Sequence, residues 1–380
     1  MQKEIQKQIF QEIKGYYKDN TTRVAETELP FPANVYFEPE HMEREKRLME
    51  KYPVIVGHSS QIKESGDFLS HTLLGIPIMV VRQKDGSVKA FLNICSHRGA
   101  RLCTENTGNS RRFVCPYHAW TYSLDGRLRG VPKLGFPNYD PADGNLTELQ
   151  VEERHGLIWV QVDPANPIDV ALHLGEIDDE IASYDISNCE VHSIKILEAD
   201  INWKSVLDGF LEPYHFATLH ADSIAPYFHG TYSPFEGFGI NSRMIGVRKS
   251  FDKILESDFN EVDLLKHVAV NYQIFPNTIL VWQGDHFECW TAYPGETPGK
   301  CKVLFQMLIP KAQYNESTMA RWERNWTVIE ETVFDEDWEM SHQVQGNLSH
   351  IPNETVVFGA NEPALQHFHA HMKELIENMN

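Results

Sequence analysis

Cys95-Ser96-His97-Arg98-Gly99 and, with seventeen residues between His97 and Cys115, Cys115-Pro116-Tyr117-His118-Ala119-Trp120 are the stretches on which the fold of this chain turns. Each half pairs one cysteine with one histidine, so together they offer two thiolates and two imidazoles. That donor set suits a structural zinc ion, or a two-iron cluster with thiolates on one iron and imidazoles on the other. Two details favour iron. The halves come from separate loops of a strand-rich region and not from a ββα finger, and each half splits its ligands as needed to place both histidines on one iron. Replacing two thiolates by neutral imidazoles leaves less negative charge at the iron and raises the cluster potential.

Outward from these loops the pattern is one of short apolar runs separated by turns. Ile78-Met79-Val80-Val81 is followed by Asp85-Gly86 and then by Val88 to Ile94, which predicts a hairpin. Pro77 stands just ahead of the first run, where a strand tolerates it. Asp125-Gly126 marks another turn, and Leu157-Ile158-Trp159-Val160 a further buried strand. A small all-β domain over 51–165 is expected, closing near Asp163-Pro164, with Pro164 and Pro167 in a linker. Residues 1–50 form a charged helical segment with Ile5, Ile9, Phe10 and Ile13 on one stripe.

The remainder, 166–380, mixes patterns. Residues 191–199 read as a strand, 202–220 as a helix, 268–308 as several strands with a tight turn at Gly284-Asp285, 315–345 as a long helix and 362–378 as an amphipathic helix. The expected fold class is α+β: an all-β domain followed by a domain with a large antiparallel sheet flanked by helices.

Thirty-four basic against 54 acidic residues give a net charge of −20, which disfavours nucleic acid and anionic membrane surfaces as partners. No run approaches the roughly 18 apolar residues of a membrane span. The opening Met1-Gln2-Lys3-Glu4-Ile5 lacks a signal-peptide pattern. Cys103, Cys189, Cys289 and Cys301 are scattered singly, as expected of buried free thiols in a reducing compartment. A cytoplasmic location follows as the expectation.

A second constellation lies in Glu212-Pro213-Tyr214-His215-Phe216-Ala217-Thr218-Leu219-His220. His215 and His220 are five apart, which no unbroken helix places on one face. Asp208, Glu212, His215 and Leu219 share a face by spacing. Pro213 predicts a kink or restart of the helix at Glu212. Alone, His-x4-His is a weak signal. His367 and His371 show better i,i+4 spacing, but Leu365, Phe368 and Met372 point inward there, and both histidines are expected to face solvent. For a third metal ligand the candidates cluster in Phe334-Asp335-Glu336-Asp337-Trp338. The helix carries Trp322, Trp326, Ile329, Val333 and Met340 as its buried stripe. At about 100° per residue Asp337 falls on one edge of that stripe, Glu336 on the other, and Asp335 points away. A carboxylate facing a core is costly unless paired or bound to metal, which leaves Asp337 and Glu336.

With these residues in view, the chain resembles the large (alpha) subunits of Rieske non-haem iron aromatic-ring-hydroxylating oxygenases. The resemblance rests on the two Cys/His halves, and on Asn202-Trp203-Lys204, Asp208, Glu212-x-Tyr214-His215 and His220. It implies a [2Fe-2S] cluster on Cys95, His97, Cys115 and His118, and a mononuclear Fe(II) on His215, His220 and Asp337. Asp337 resembles the second member of the family's Glu-Asp pair, with Gln345 following. Asp208 and Glu212 are implied as the catalytic acids, Glu212 as a hydrogen-bonded bridge to a cluster histidine, His118, of a neighbouring subunit. A homotrimer or other α3-based oligomer follows from that bridge. Trp120, Tyr117 and Arg98 are implied as shields of the cluster.

Two departures stand out: the bridging residue is Glu where most members have Asp, and Pro213 follows it. The Glu resembles the branch that includes carnitine and betaine oxygenases. No Gly-x-Gly-x-x-Gly follows a strand, so no nicotinamide or flavin site is visible, and electrons must come from a separate flavin/iron–sulfur reductase, with or without a ferredoxin. The expected activity is dioxygen-dependent hydroxylation of a small organic substrate (aromatic ring hydroxylation or monooxygenation), as in aromatic hydrocarbon catabolism, or else oxidative N- or O-demethylation or C–N cleavage of a quaternary ammonium or methoxy compound. A substrate pocket is expected around Leu207, Phe210, Phe275, Val281 and Trp290, built either as an aromatic cage for a trimethylammonium group or as a flat slot for an arene. Two other classes compete: an electron-transfer protein without a second iron, and a zinc hydrolase using His215, His220 and Asp337.

Overall fold

The computed structural model describes residues 1–132, 136, 138–165, 167–351 and 354–379. The chain divides into two compact units, Glu50–His173 and Met1–Met49 together with Leu174–Asn380. Among the described residues no helix is long and apolar enough to cross a membrane.

The Glu50–His173 unit is all-β. Its seven-stranded antiparallel sheet runs Val54–His58, Leu157–Gln161, Glu148–Arg154, Val88–Leu92, Ile76–Arg82, Asp67–Leu73, Thr107–Asn109. Asp85-Gly86 makes the predicted hairpin turn: Gly86 takes φ 86°, and Asp85 Oδ1 accepts from the Ser87 amide at 3.0 Å. Phe68, Met79, Val81 and Phe91 pack with Phe113, Trp120, Tyr122 and Leu128 into one core. Burial of each such large side chain contributes about 1.5–3 kcal/mol. A three-stranded sheet, Phe113–Val114, Thr121–Tyr122 and Leu128–Gly130, completes the unit. Cys95 and Cys115 lie in that core, so the two cysteine loops are clamped between the sheets.

The other unit is α+β. Seven antiparallel strands run in the order Cys189–Ala199, Cys301–Pro310, Phe287–Pro294, Thr278–Trp282, Val268–Ile274, Asn241–Val247, Phe235–Phe238. The Trp203–Phe210 helix packs on the central strands, and the Pro363–Glu377 helix on the Phe235–Phe238 and Asn241–Val247 edge. Lys3–Asp19 buries Ile9, Phe10 and Ile13 and stops at Asn20, whose φ of 48° ends the helix in the left-handed region. Leu29–Pro32 pairs with Thr355–Phe358 and ties the two ends of the unit together.

Two sequence expectations need correction. The helix predicted over 315–345 is three segments: Met319–Glu330, a π-helical turn Glu331–Asp337, and Trp338–Asn347. A π-turn winds with i→i+5 hydrogen bonds, so a phase extrapolated at 100° per residue fails beyond Val333. Met340, placed on the buried stripe by that extrapolation, is 44 % exposed. His367 and His371 do not face solvent freely. Both are half-buried, with the rings 4.3 Å apart and Phe235 at 5.7 Å from His367. Burial lowers the His367 pKa to about 4. The Phe235–Phe238 strand that covers them has no strong apolar alternation, which is why the sequence did not reveal it.

Candidate metal centres and active-site cavity

The two cysteine loops have the same backbone plan. The Cys95 carbonyl accepts from the Gly99 amide and the Cys95 amide donates to the Ala100 carbonyl; Cys115 repeats both bonds with Ala119 and Trp120. The fourth residue after each cysteine is left-handed, Gly99 at φ 79° and Ala119 at φ 59°. Glycine accepts this at no cost, whereas Ala119 is strained, a device found where surrounding structure fixes a functional loop. The His97 and His118 rings come to 4.7 Å, His97 stacks on Trp120 at 4.7 Å and 7°, and Tyr117 covers His118 at 3.7 Å. Arg98 lies over Tyr117. The Nδ1 atoms of both histidines are buried and find no hydrogen-bond partner. Two orphaned imidazole nitrogens beside two buried cysteines are what a cluster's donor set requires, and the residues fit a [2Fe-2S] group.

Tyr122 adds a polar contact to this site. Its hydroxyl accepts from the Ser96 amide at 3.2 Å and has two acceptors in reach of its own proton, Cys95 Sγ at 3.2 Å and Ser96 Oγ at 2.9 Å, of which a Cys95 thiolate, being charged, is the stronger. A hydrogen bond to a cluster thiolate draws charge from the iron and raises its potential. Tyr122→Phe is expected to lower the cluster midpoint potential by on the order of tens of millivolts in a spectroelectrochemical titration; an unchanged or higher potential would contradict this assignment.

The second centre begins with the helix Trp203–Phe210. Asn202 caps it through Oδ1, which accepts from the Lys204 amide at 2.9 Å. Asn202 Nδ2 donates to the Tyr36 and Pro298 carbonyls, Trp203 Nε1 to Glu45, and Lys204 Nζ to Glu45 and the Val35 carbonyl. The Asn-Trp-Lys triplet therefore anchors the helix that leads into the histidines. The helix stops at Phe210, and a 3₁₀ turn Tyr214–Ala217 restarts after Pro213, as the proline predicts. The break removes the shared face expected for Asp208, Glu212, His215 and Leu219. Asp208 turns instead to Tyr36 Oη at 2.7 Å and His369 Nε2 at 2.8 Å.

His215, His220 and Asp337 converge, with one ligand atom from each within 4.8 Å of the others. Asp337 Oδ1 lies 2.9 Å from His220 Nε2 and 3.5 Å from His215 Nε2. The far side of each imidazole is held by a glutamate: His215 Nδ1 meets Glu212 Oε1, and His220 Nδ1 meets Glu336 Oε2. Glu212 also accepts from the His215 amide at 3.0 Å, and Ser223 donates to Glu336 at 2.6 Å. Proton-bearing Nδ1 atoms leave both Nε2 lone pairs aimed at the Asp337 carboxylate, and His215 Nε2 is buried without a hydrogen-bond partner. This two-histidine, one-carboxylate set fits a divalent iron. Burial disfavours charge on His220, but the Asp337 and Glu336 carboxylates outweigh it and raise its pKa. Of the two carboxylates that sequence left open, Asp337 faces both histidines and Glu336 stands behind one of them. Two successive acids thus stand on opposite sides of the His220 ring, Glu336 at Nδ1 and Asp337 at Nε2. Glu336→Gln should cost about 10- to 100-fold in iron affinity, read as iron retained after dialysis against a chelator; full retention would remove Glu336 from this role.

A cavity of about 380 Å³ opens on this centre. His215, His220 and Asp337 line it together with Phe210, Phe216, Tyr227, Phe228, Met244 and Val281, and with the polar groups Arg248, Gln283, Asp285, His286, Glu288 and Arg321. Of the five expected pocket residues, Phe210 and Val281 line the cavity. Leu207, Phe275 and Trp290 are fully buried core residues behind it, Trp290 stacking on Phe305 at 3.7 Å. Their apolar character marks core and pocket alike. Phe216 stood within the histidine motif and could have been named. Arg248, one residue past a strand end, carried no sequence signal.

Comparison with known proteins shows that residues 186–378 match the family described as ring hydroxylating alpha subunit (catalytic domain). The chain belongs to this family. Residues 52–140 match the Rieske [2Fe-2S] domain. Relatives of this alpha subunit include the glycine betaine monooxygenase oxygenase subunit of Chromohalobacter salexigens, 33 % identical over 192 residues, covering 50 % of this chain and 43 % of that one. The biphenyl 2,3-dioxygenase subunit alpha of Rhodococcus jostii is 33 % identical over 180 residues, covering 46 % and 39 %. The carnitine monooxygenase oxygenase subunit of Acinetobacter pittii is 30 % identical over 211 residues, covering 53 % and 57 %. The matched stretches thus span about half or less of these relatives. Among solved structures, the quaternary ammonium Rieske monooxygenase CntA superposes with a TM-score of 0.75 at 20 % identity, covering 92 % of this chain and 96 % of that one. A naphthalene 1,2-dioxygenase gives 0.74 at 19 %, covering 93 % and 94 %. At these identities the likeness is one of fold.

Proposed function

We propose that this alpha subunit is the terminal oxygenase component of a system that takes electrons from a separate flavin/iron–sulfur reductase, with or without a ferredoxin, and uses dioxygen to hydroxylate a small organic substrate. The observation that carries the reading is the convergence of His215, His220 and Asp337 on the wall of a cavity, in a chain that also carries a two-cysteine, two-histidine site. When bound, the cluster would supply single electrons and the mononuclear iron open positions for dioxygen. The chain's own residues do the rest. Glu212 and Glu336 hold the imidazoles in the tautomer that presents Nε2. Phe210, Phe216 and Phe228 give the substrate an apolar wall that limits water. Asp208, through Tyr36 and His369, positions the end of the helix that delivers Glu212.

The resemblance supports a trimer in which Glu212 reaches His118 of the partner subunit, and the six buried free cysteines suit a cytoplasmic setting. Three-ligand convergence argues against an electron-transfer protein without a second metal. Within the substrate class, the cavity's mixture of aromatic faces with Arg248, Glu288 and Asp285 suits a charged molecule better than a bare hydrocarbon. Oxidative demethylation, the second reading, gains from this and from relatives named for glycine betaine and carnitine. A screen of reduced protein against arenes, aryl carboxylates, methyl ethers and methylated amines tests the reading. Dioxygen-dependent product from at least one class is expected, and product formed equally without dioxygen would overturn it.

A further inference from the structure

Two arginines line the cavity, and their charges are answered differently. Arg321 forms an ion pair with Asp285. Arg248 makes no ion pair among the described residues. Its Nη2 donates to the Gln283 carbonyl at 3.0 Å and to Gln283 Oε1 at 2.8 Å, while among the described residues Nε and Nη1 have no acceptor. The guanidinium lies over the Phe228 ring, with Cζ 4.5 Å from its centroid, and the Phe228–Arg248 bridge fixes both backbones. Glu288 is near enough to be felt but is engaged elsewhere. Its Oε1 accepts from Gln283 Nε2 at 2.8 Å and its Oε2 from Trp290 Nε1 at 3.1 Å. Gln283 thus stands as a spacer between the two charges. Burial lowers the Arg248 pKa, and Glu288 only partly offsets this. A guanidinium always charged, planar and partly desolvated, with one fork face vacant, is matched in geometry by a carboxylate.

We propose that the substrate of this cavity is a small carboxylic acid whose carboxylate is held by the free Nε and Nη1 face of Arg248. The aromatic wall then receives the rest of the molecule, and the carboxylate sets which carbon faces His215, His220 and Asp337. This deepens the oxygenase reading and rests on its assignment of the cavity to substrate.

The test is calorimetric titration of the anaerobic holoprotein, without reductant, by matched pairs that differ in the acid group: glycine betaine against choline, benzoate against benzamide, phenylacetate against phenylacetamide. In at least one pair the acid is expected to bind about ten- to a hundredfold more tightly, with no member lacking the acid group tighter than its acid. Arg248→Gln should abolish that preference at unchanged melting temperature, and Arg248→Lys, which keeps charge but loses the fork, should restore part of it. Members without the acid group binding as tightly as the acids, no acid binding at all, or a preference that survives Arg248→Gln would each overturn the proposal. Should the glutamine variant not fold, the wild-type pairs and Arg248→Lys decide. Because binding is read without turnover, a protein that held acids at Arg248 yet oxidised nothing would keep this inference and lose the oxygenase reading.

Discussion

Asp337→Ala is expected to leave the chain folded and coloured while removing the mononuclear iron and, with it, turnover. The Asp337 carboxylate is the one negative charge that faces both Nε2 atoms, at 2.9 and 3.5 Å. Loss of an outer-shell partner of a metal site costs about 10- to 100-fold, and loss of a charged ligand costs more than that. Asp337 sits at the end of a π-turn and is about one-fifth exposed, so truncation leaves no large cavity. The proposed cluster ligands Cys95, His97, Cys115 and His118 belong to the other unit, and the cluster's visible absorption should persist. Asp335→Ala, on the exposed side of the same turn, is the control and should keep iron and turnover. Measured iron, absorption spectrum and dioxygen-dependent product decide the matter. Full iron and activity in Asp337→Ala would place the third ligand elsewhere.

The largest effect on stability is expected at Glu45. Its carboxylate and the Lys204 ammonium meet at 2.6 Å, each side chain 1 % exposed, and Trp203 Nε1 donates to the second oxygen at 2.8 Å. His41 Nε2 lies 3.2 Å away. Glu45→Ala leaves the ammonium buried without a counter-charge and the indole N–H without an acceptor. Breaking a buried pair in this way costs about 3–5 kcal/mol. Urea unfolding followed by far-UV circular dichroism should show that loss, and a loss under about 1 kcal/mol would contradict it. Burial opposes charge on Glu45, but Lys204 and His41 outweigh it and hold its pKa below the ordinary value. A depressed carboxylate stabilises the fold fully above its unfolded pKa and loses that contribution as pH falls toward the folded one. Wild type should therefore lose stability on acidification through and below the ordinary glutamate range, around pH 4, and Glu45→Gln should lose less.

This pair also shows how far the sequence could be read. Asn202-Trp203-Lys204 was legible as a marker of the iron-binding segment, yet nothing in the triplet reveals that its work is to anchor a helix. Its partners, Glu45, Tyr36 and Pro298, are more than ninety residues away. That the two Cys/His loops belong together was readable, because Cys and His spacing is itself the chemistry. The break at Pro213 was readable because a proline leaves one local outcome. The π-turn was not, since it depends on packing that no local propensity records, and the phase of Met340 failed with it. Pocket residues were the least legible. Trp290 and Phe305 in the core and Phe216 and Phe228 in the cavity obey the same apolar pattern, and only tertiary placement separates them.

A two-iron cluster and a separate mononuclear iron in one chain leave a direct stoichiometric signature. Iron, zinc and acid-labile sulfide are therefore to be counted per chain in anaerobically loaded protein. Two sulfides are expected with the two irons of the cluster, and one further iron that Asp337→Ala removes. Iron that stops at the cluster's two, or zinc in the place of the third, would contradict that count.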